Sequence, residues 1–94
     1  PNPFKDQTWF TFRHNQFDGD LSVEIDIYNF YGQHVRTIRH SNLLTNGYSI
    51  EPILWDGDSD GGSKLSPGYY FYKLRVSNEK EQYTERTQKM IITR

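Results

Sequence analysis

Leu21-Ser22-Val23-Glu24-Ile25-Asp26-Ile27 alternates apolar and polar side chains without a break. That is the pattern of a strand with one face buried and the other in water. Working outward, Asn29-Phe30-Tyr31-Gly32 reads as a turn, and Val35 to Ile38 returns as the second strand of a hairpin. The longest strand signal, Tyr69 to Val76, follows Pro67-Gly68 and places Tyr70, Tyr72, Leu74 and Val76 on one face. Thr8-Trp9-Phe10-Thr11-Phe12 is dense in β-formers, and Ile50 to Trp55 is a further strand whose Pro52 suits an edge or a bulge. In the last stretch, Gln82 to Thr93, helical spacing of Tyr83, Thr87, Met90 and Ile91 competes with the strand-forming run Met90-Ile91-Ile92-Thr93. The β-propensity of that run predicts a strand. About seven short segments separated by turns predict an all-β fold, an immunoglobulin-like antiparallel β-sandwich. Its expected core is Phe10, Phe12, Val23, Ile25, Ile27, Trp55, Tyr70, Tyr72 and Leu74.

The bulk composition agrees with one small module spanning residues 1–94. Only 34% of the residues are hydrophobic but 16% are aromatic, so the core has to rely on large rings. A net charge of −1 lacks the basic excess of a nucleic-acid binder. The chain has no cysteine, which removes disulfides, thiol nucleophiles and thiolate metal sites together. No apolar run approaches the roughly 18 residues of a spanning helix. An opening of Pro1-Asn2-Pro3 without methionine reads as a domain excised from a larger protein.

Three groups of residues invite a chemical reading. Asp56-x-Asp58-x-Asp60-Gly61 begins like an EF-hand calcium loop, but Lys64 and Pro67 stand where later ligands belong. Asp56, Asp58 and Asp60 are therefore read as turn-forming residues, with calcium the weaker alternative and no cofactor expected. His34, Arg36, Ile38 and His40 share a face if their strand has no bulge, yet an arginine beside the histidines opposes a cation. They read as solvated surface side chains, as does His14. No Gly-x-Ser-x-Gly elbow or comparable signature accompanies the serines and histidines, so no catalytic residue is assigned. Period-two alternation turns Trp9, Tyr28, Tyr69 and Phe71 away from the core, near Arg13, Asp26, Lys73 and Arg75. Exposed aromatics interleaved with arginine compose a protein-binding surface, so Trp9, Tyr28, Tyr69, Phe71, Arg13 and Arg75 are the candidate partner-binding residues. The competing reading is that loops cover these rings, or that a bulge exchanges the faces.

Several fragments also carry a family likeness. They are Asn2-Pro3-Phe4, Ile27-Tyr28-Asn29-Phe30-Tyr31-Gly32-Gln33-His34-Val35-Arg36, Trp55-Asp56-Gly57 with its acidic loop, Leu65-x-x-Gly68-x-Tyr70-x-Tyr72-x-Leu74, and Lys89-Met90-Ile91-Ile92. In that order they resemble the FlgD-type Ig-like domain and the C-terminal domains of type IX secretion proteins of Bacteroidetes. His14-Asn15 and Tyr48-x-Ile50-x-Pro52-Ile53-x-Trp55 are similar to the C-terminal domains of PorU-type sortases, which are gingipain-like cysteine peptidases. The resemblance implies a non-catalytic domain whose parent protein carries the catalytic cysteine and histidine upstream. It also implies an anchor at the outer membrane of a Gram-negative cell, on a PorV-like barrel protein and on the rest of the peptidase chain. Two alternatives stay open: a structural module of a flagellar hook-cap protein, and a cleavable sorting domain of a secreted cargo.

Overall fold

A computed structural model describes residues 3–11, 21–43, 45–46, 49–50, 52–80 and 82–93. Phe12, Arg13, His14, Asn15 and Tyr48 lie outside the described residues. The strands are β1 (Thr8–Phe10), β2 (Leu21–Asn29), β3 (His34–Leu43), β4 (Thr45–Asn46), β5 (Ser49–Ile50), β6 (Ile53–Trp55), β7 (Gly68–Ser77) and β8 (Tyr83–Ile92). The larger sheet has four strands in the order β3-β2-β7-β8, and β1 pairs with β6 in a second, smaller sheet. All of these pairings are antiparallel, and β4 with β5 forms a separate short ribbon. The architecture is the expected all-β sandwich, and no helix long and apolar enough to cross a membrane occurs among the described residues.

Alternation in β2 and β7 accounts for the core. Leu21, Val23, Ile25 and Ile27 face inward from β2, and Tyr70, Leu74 and Val76 from β7. Phe10, Ile53 and Trp55 of the smaller sheet close over them, and Phe4, Ile38, Met90 and Ile92 fill the margins. Trp55 is the centre of the ring cluster, edge-on to Phe4 at 5.6 Å and stacked with Phe10 at 6.2 Å. Its indole N–H donates to the Asp58 carbonyl at 3.0 Å, so the one polar atom of the ring is satisfied. Tyr72 departs from the expected core. It packs against the cluster, edge-on to Phe10 at 4.9 Å, but is only half-buried and sends its hydroxyl to Gln88 Oε1 at 2.8 Å. Burial pushes its phenol pKa up.

Two turns are built on one plan. Asn29 and Asn78 each accept two backbone N–H bonds on the side-chain oxygen, from Tyr31 and Gln33 and from Lys80 and Gln82. Each also donates its side-chain amide to the glutamine four residues on. In the first turn Gly32 closes the chain at φ 82°, a left-handed conformation that costs glycine little.

An aromatic outer face and an end groove

The outward residues of the larger sheet form ordered rows. Tyr28, Phe71 and Lys89 are cross-strand partners in one row, Asp26, Lys73 and Thr87 in the next, and Glu24, Arg75 and Glu85 in the third. The third row is a charge lattice: Arg39 meets Glu24 at 3.3 Å, Arg75 meets Glu85 at 3.0 Å, and Lys73 reaches the same Glu85 at 3.5 Å. The first row is aromatic and continues to Tyr69, whose ring lies 5.0 Å beneath the Lys89 ammonium. This face is apolar at one end and ionic at the other.

The candidate partner-binding residues therefore do not form one patch. Tyr28, Tyr69 and Phe71 share the aromatic end of the large sheet, with Tyr69 49% exposed and the other two half-buried. Arg75 shares their face but sits two rows away, paired with Glu85 and stacked 4.3 Å over the Tyr83 ring. Trp9 stands on the opposite side of the sandwich, directly across from Leu54 in the smaller sheet. That pair is 45% and 53% exposed and makes a second, smaller apolar spot.

Beyond the aromatic end of the large sheet lies a groove of about 380 Å³, walled by Phe30, Tyr31, Val35, Leu65, Pro67 and Tyr69. Phe30 and Tyr31 are 66% and 86% exposed and meet edge to face at 6.0 Å. Neither was among the residues expected to bind. Their position was nonetheless the clue, because the tip of a two-strand hairpin has nothing above it to bury a ring. Asn29, Lys64 and Ser66 add polar groups to its wall, and the groove shares Tyr69 with the outer face, so the aromatic side chains of the two surfaces meet at that residue. Exposed rings that lose their water on binding are the side chains that contribute most to protein interfaces.

His34 and His40 are exposed as expected, but His34 does not share a face with Arg36 and Ile38. A bulge at Val35 shifts the register between Ile27↔Arg36 and Tyr28↔His34, so His34 turns to the outer face while Ile38 stays in the core. There His34 does meet a carboxylate: its Nε2 is 2.6 Å from Thr37 Oγ1 and 3.2 Å from Asp26 Oδ1. Thr37 donates its hydroxyl to Asp26 at 2.7 Å, which leaves Nε2–H as the donor to the threonine oxygen. Both partners meet the same ring nitrogen, so this is not a relay through the two sides of an imidazole. Partial burial alone raises the Asp26 pKa, but hydrogen bonds with Thr37, Glu24 and His34, and the His34 charge, outweigh it and hold it below 3.8. A carboxylate lowered in the folded state stabilises the fold above its ordinary pKa, and that contribution disappears as pH falls through the folded value. Between pH 6 and pH 3 the wild-type melting temperature is expected to fall further than that of Asp26→Asn. The difference should be small, about 1 kcal/mol or less for a site this open to solvent. Parallel pH curves for the two proteins would remove Asp26 from the acid response.

The acidic loop uses its aspartates separately. Asp56 Oδ1 accepts the Asp58 N–H at 3.2 Å, and Asp58 pairs with Lys64 at 3.3 Å. Asp60 Oδ1 accepts the Thr37 N–H at 3.1 Å, while its own N–H donates to the Val35 carbonyl at 2.9 Å. Asp60 thus covers the outer edge of β3, where unpaired backbone groups would otherwise invite another strand. Lys64, whose ammonium also donates to the Asp56 carbonyl at 2.9 Å, already supplies the loop's cation. Among the described residues no group of three or more potential ligands is placed to hold a metal ion. Millimolar calcium is expected to leave the melting temperature unchanged. A rise of several degrees that chelator reverses would show a calcium site here.

A family profile for the type IX secretion signal domain matches residues 3–92. No curated protein matches the chain. Among solved structures, dimeric latent PorU from Porphyromonas gingivalis is similar over 99% of the chain, with 31% identity and a TM-score of 0.81. The similar region is 9% of that PorU chain, so these 94 residues correspond to one small part of a much larger protein. With a sandwich fold of the same form and a profile match over nearly its whole length, the chain belongs to the family of type IX secretion signal domains.

Proposed function

We propose that this domain is the non-catalytic C-terminal anchor of a longer, PorU-like cysteine peptidase, held at the outer membrane of a Gram-negative bacterium by a barrel protein of the PorV kind. Family membership and the PorU likeness favour a role in secretion over a flagellar one. The observation that carries the docking part is the gathering of Tyr28, Phe71, Tyr69, Phe30 and Tyr31 at one end of the sandwich. Phe30, Tyr31 and Tyr69 are exposed at that end, and a cluster of exposed rings marks an interaction site. The catalytic cysteine of the parent would lie upstream, since the chain itself has none. A second reading, a sorting domain removed after export, draws equally on the family.

The experiment is capture from detergent-solubilised outer membrane of a type IX-secreting bacterium, using the purified domain as bait. Recovery of a PorV-like barrel is expected. Failure to recover it under conditions that keep both partners folded would end the anchoring proposal.

A further inference from the structure

β8 is an edge of the four-stranded sheet, and among the described residues no strand pairs with its outer side from Tyr83 to Lys89. Only the far end is covered. There the Phe4 N–H donates to the Ile91 carbonyl at 3.0 Å, and the Thr93 N–H donates to the Phe4 carbonyl at 2.8 Å. Those bonds fix the orientation of the whole edge, because backbone groups in a strand point alternately to its two sides. Ile91 and Thr93 point away from β7, and the β7–β8 register has no shift from Gly68↔Ile92 to Ser77↔Tyr83. Lys89, Thr87, Glu85 and Tyr83 therefore also direct their N–H and C=O groups outward. Tyr83 to Lys89 are all exposed and include neither proline nor glycine.

The side chains along this edge are self-complementary. Across the outer face Arg39, Glu24, Arg75 and Glu85 alternate in sign over four strands, and the row ends on Glu85 at the open edge. Four residues further on the same edge, Lys89 has no carboxylate within 4.0 Å among the described residues. We infer that β8 pairs antiparallel with β8 of a second copy of this chain, with Thr87 on the two-fold axis. In that register Glu85 stands opposite Lys89 of the second copy, and Lys89 opposite its Glu85. The alternation of charge then continues by one more strand, and opposed charges across an antiparallel pair favour it. On the inner face Arg86 comes opposite Gln88, both of them exposed.

The backbone fits the same register. Glu85, Thr87 and Lys89 all point outward, so each opposing pair is of the kind that exchanges two hydrogen bonds, about six in total. The ladder stops at Lys89 because Phe4 occupies the edge beyond it. Tyr83 of the second copy has to leave the ladder there, with its backbone in water. A two-fold arrangement of this sort is isologous and closes on itself, so it gives a dimer and not a fibre.

Sedimentation of the 94-residue chain from micromolar to millimolar concentration tests this. A monomer–dimer equilibrium is expected. Glu85→Lys and Lys89→Glu should each weaken it about ten-fold, since one reversal spoils two pairs. The double variant should regain most of the loss. Lysine beside Lys73 and Arg75 is an intrachain penalty common to Glu85→Lys and the double variant, so their difference reads the contact between copies. Thr87→Cys should form an intermolecular disulfide, because the Cα atoms of such a pair are about 5.5 Å apart, within bridging range. A chain that stays monomeric at millimolar concentration overturns the inference. So does a double variant as weak as Glu85→Lys, or a Thr87→Cys protein that does not cross-link. Preferential pairing of this edge with a strand from the parent peptidase would count against it as well.

Discussion

Trp55→Ala is expected to lower stability by about 3–5 kcal/mol, the usual loss for a large aromatic removed from a packed core. Trp55 is 2% exposed and touches Phe4 and Phe10, both of which lie far from it in the chain. Its indole N–H also ties the strand to the start of the acidic loop through the Asp58 carbonyl. Truncation to alanine opens a cavity between the sheets and leaves that carbonyl without its donor. The smaller sheet has only three residues in each of β1 and β6, so little else holds it against the larger one. Urea denaturation followed by circular dichroism measures the effect. A midpoint unchanged by the substitution would mean that the ring is not the keystone between the two sheets.

Partner capture is expected to fail in the Tyr28→Ala/Tyr69→Ala/Phe71→Ala variant. Truncating a desolvated aromatic anchor often costs 2 kcal/mol or more, so loss of even one such anchor weakens binding about 30-fold. The three side chains leave the core intact, because their rows face away from Ile27, Tyr72 and Leu74. Trp9→Ala is the matched control: it removes an exposed ring from the opposite side of the sandwich and should leave capture unchanged. Rim charges behave differently. Arg75→Ala should change mainly the association rate and its salt dependence. If the triple variant binds as well as the wild type while Trp9→Ala does not, the interface lies on the smaller sheet.

Alternation was sufficient to read β2 and β7 with their inward and outward residues, since both strands are covered by core on one side only. It gave less in β8, where Met90 and Ile92 are buried but the preceding seven residues are exposed on both faces. The described part of the smaller sheet is two short strands, and the inward side of β8 at Thr84, Arg86 and Gln88 is exposed, so no apolar alternation is required there. That is why helical spacing could compete with strand propensity in the sequence. Phe4 was missing from the expected core, because its burial depends on a bridge to Ile92 at the other end of the chain. The bulge at Val35 has no proline or glycine to announce it, and it alone decides that His34 meets Asp26. For the candidate site, period two separates inside from outside but not one outside from the other. Trp9 and Tyr69 therefore fall in one set of candidates, although the sheet order puts them on opposite faces.

The most direct measurement fuses these residues to the C-terminus of an exported reporter in a bacterium with a type IX system, and weighs the reporter recovered from intact cells. Anchoring requires surface-exposed reporter that still carries all 94 residues and co-purifies with the barrel. Reporter released or retained at the surface without the domain would contradict the anchor and leave a sorting signal that is cut away.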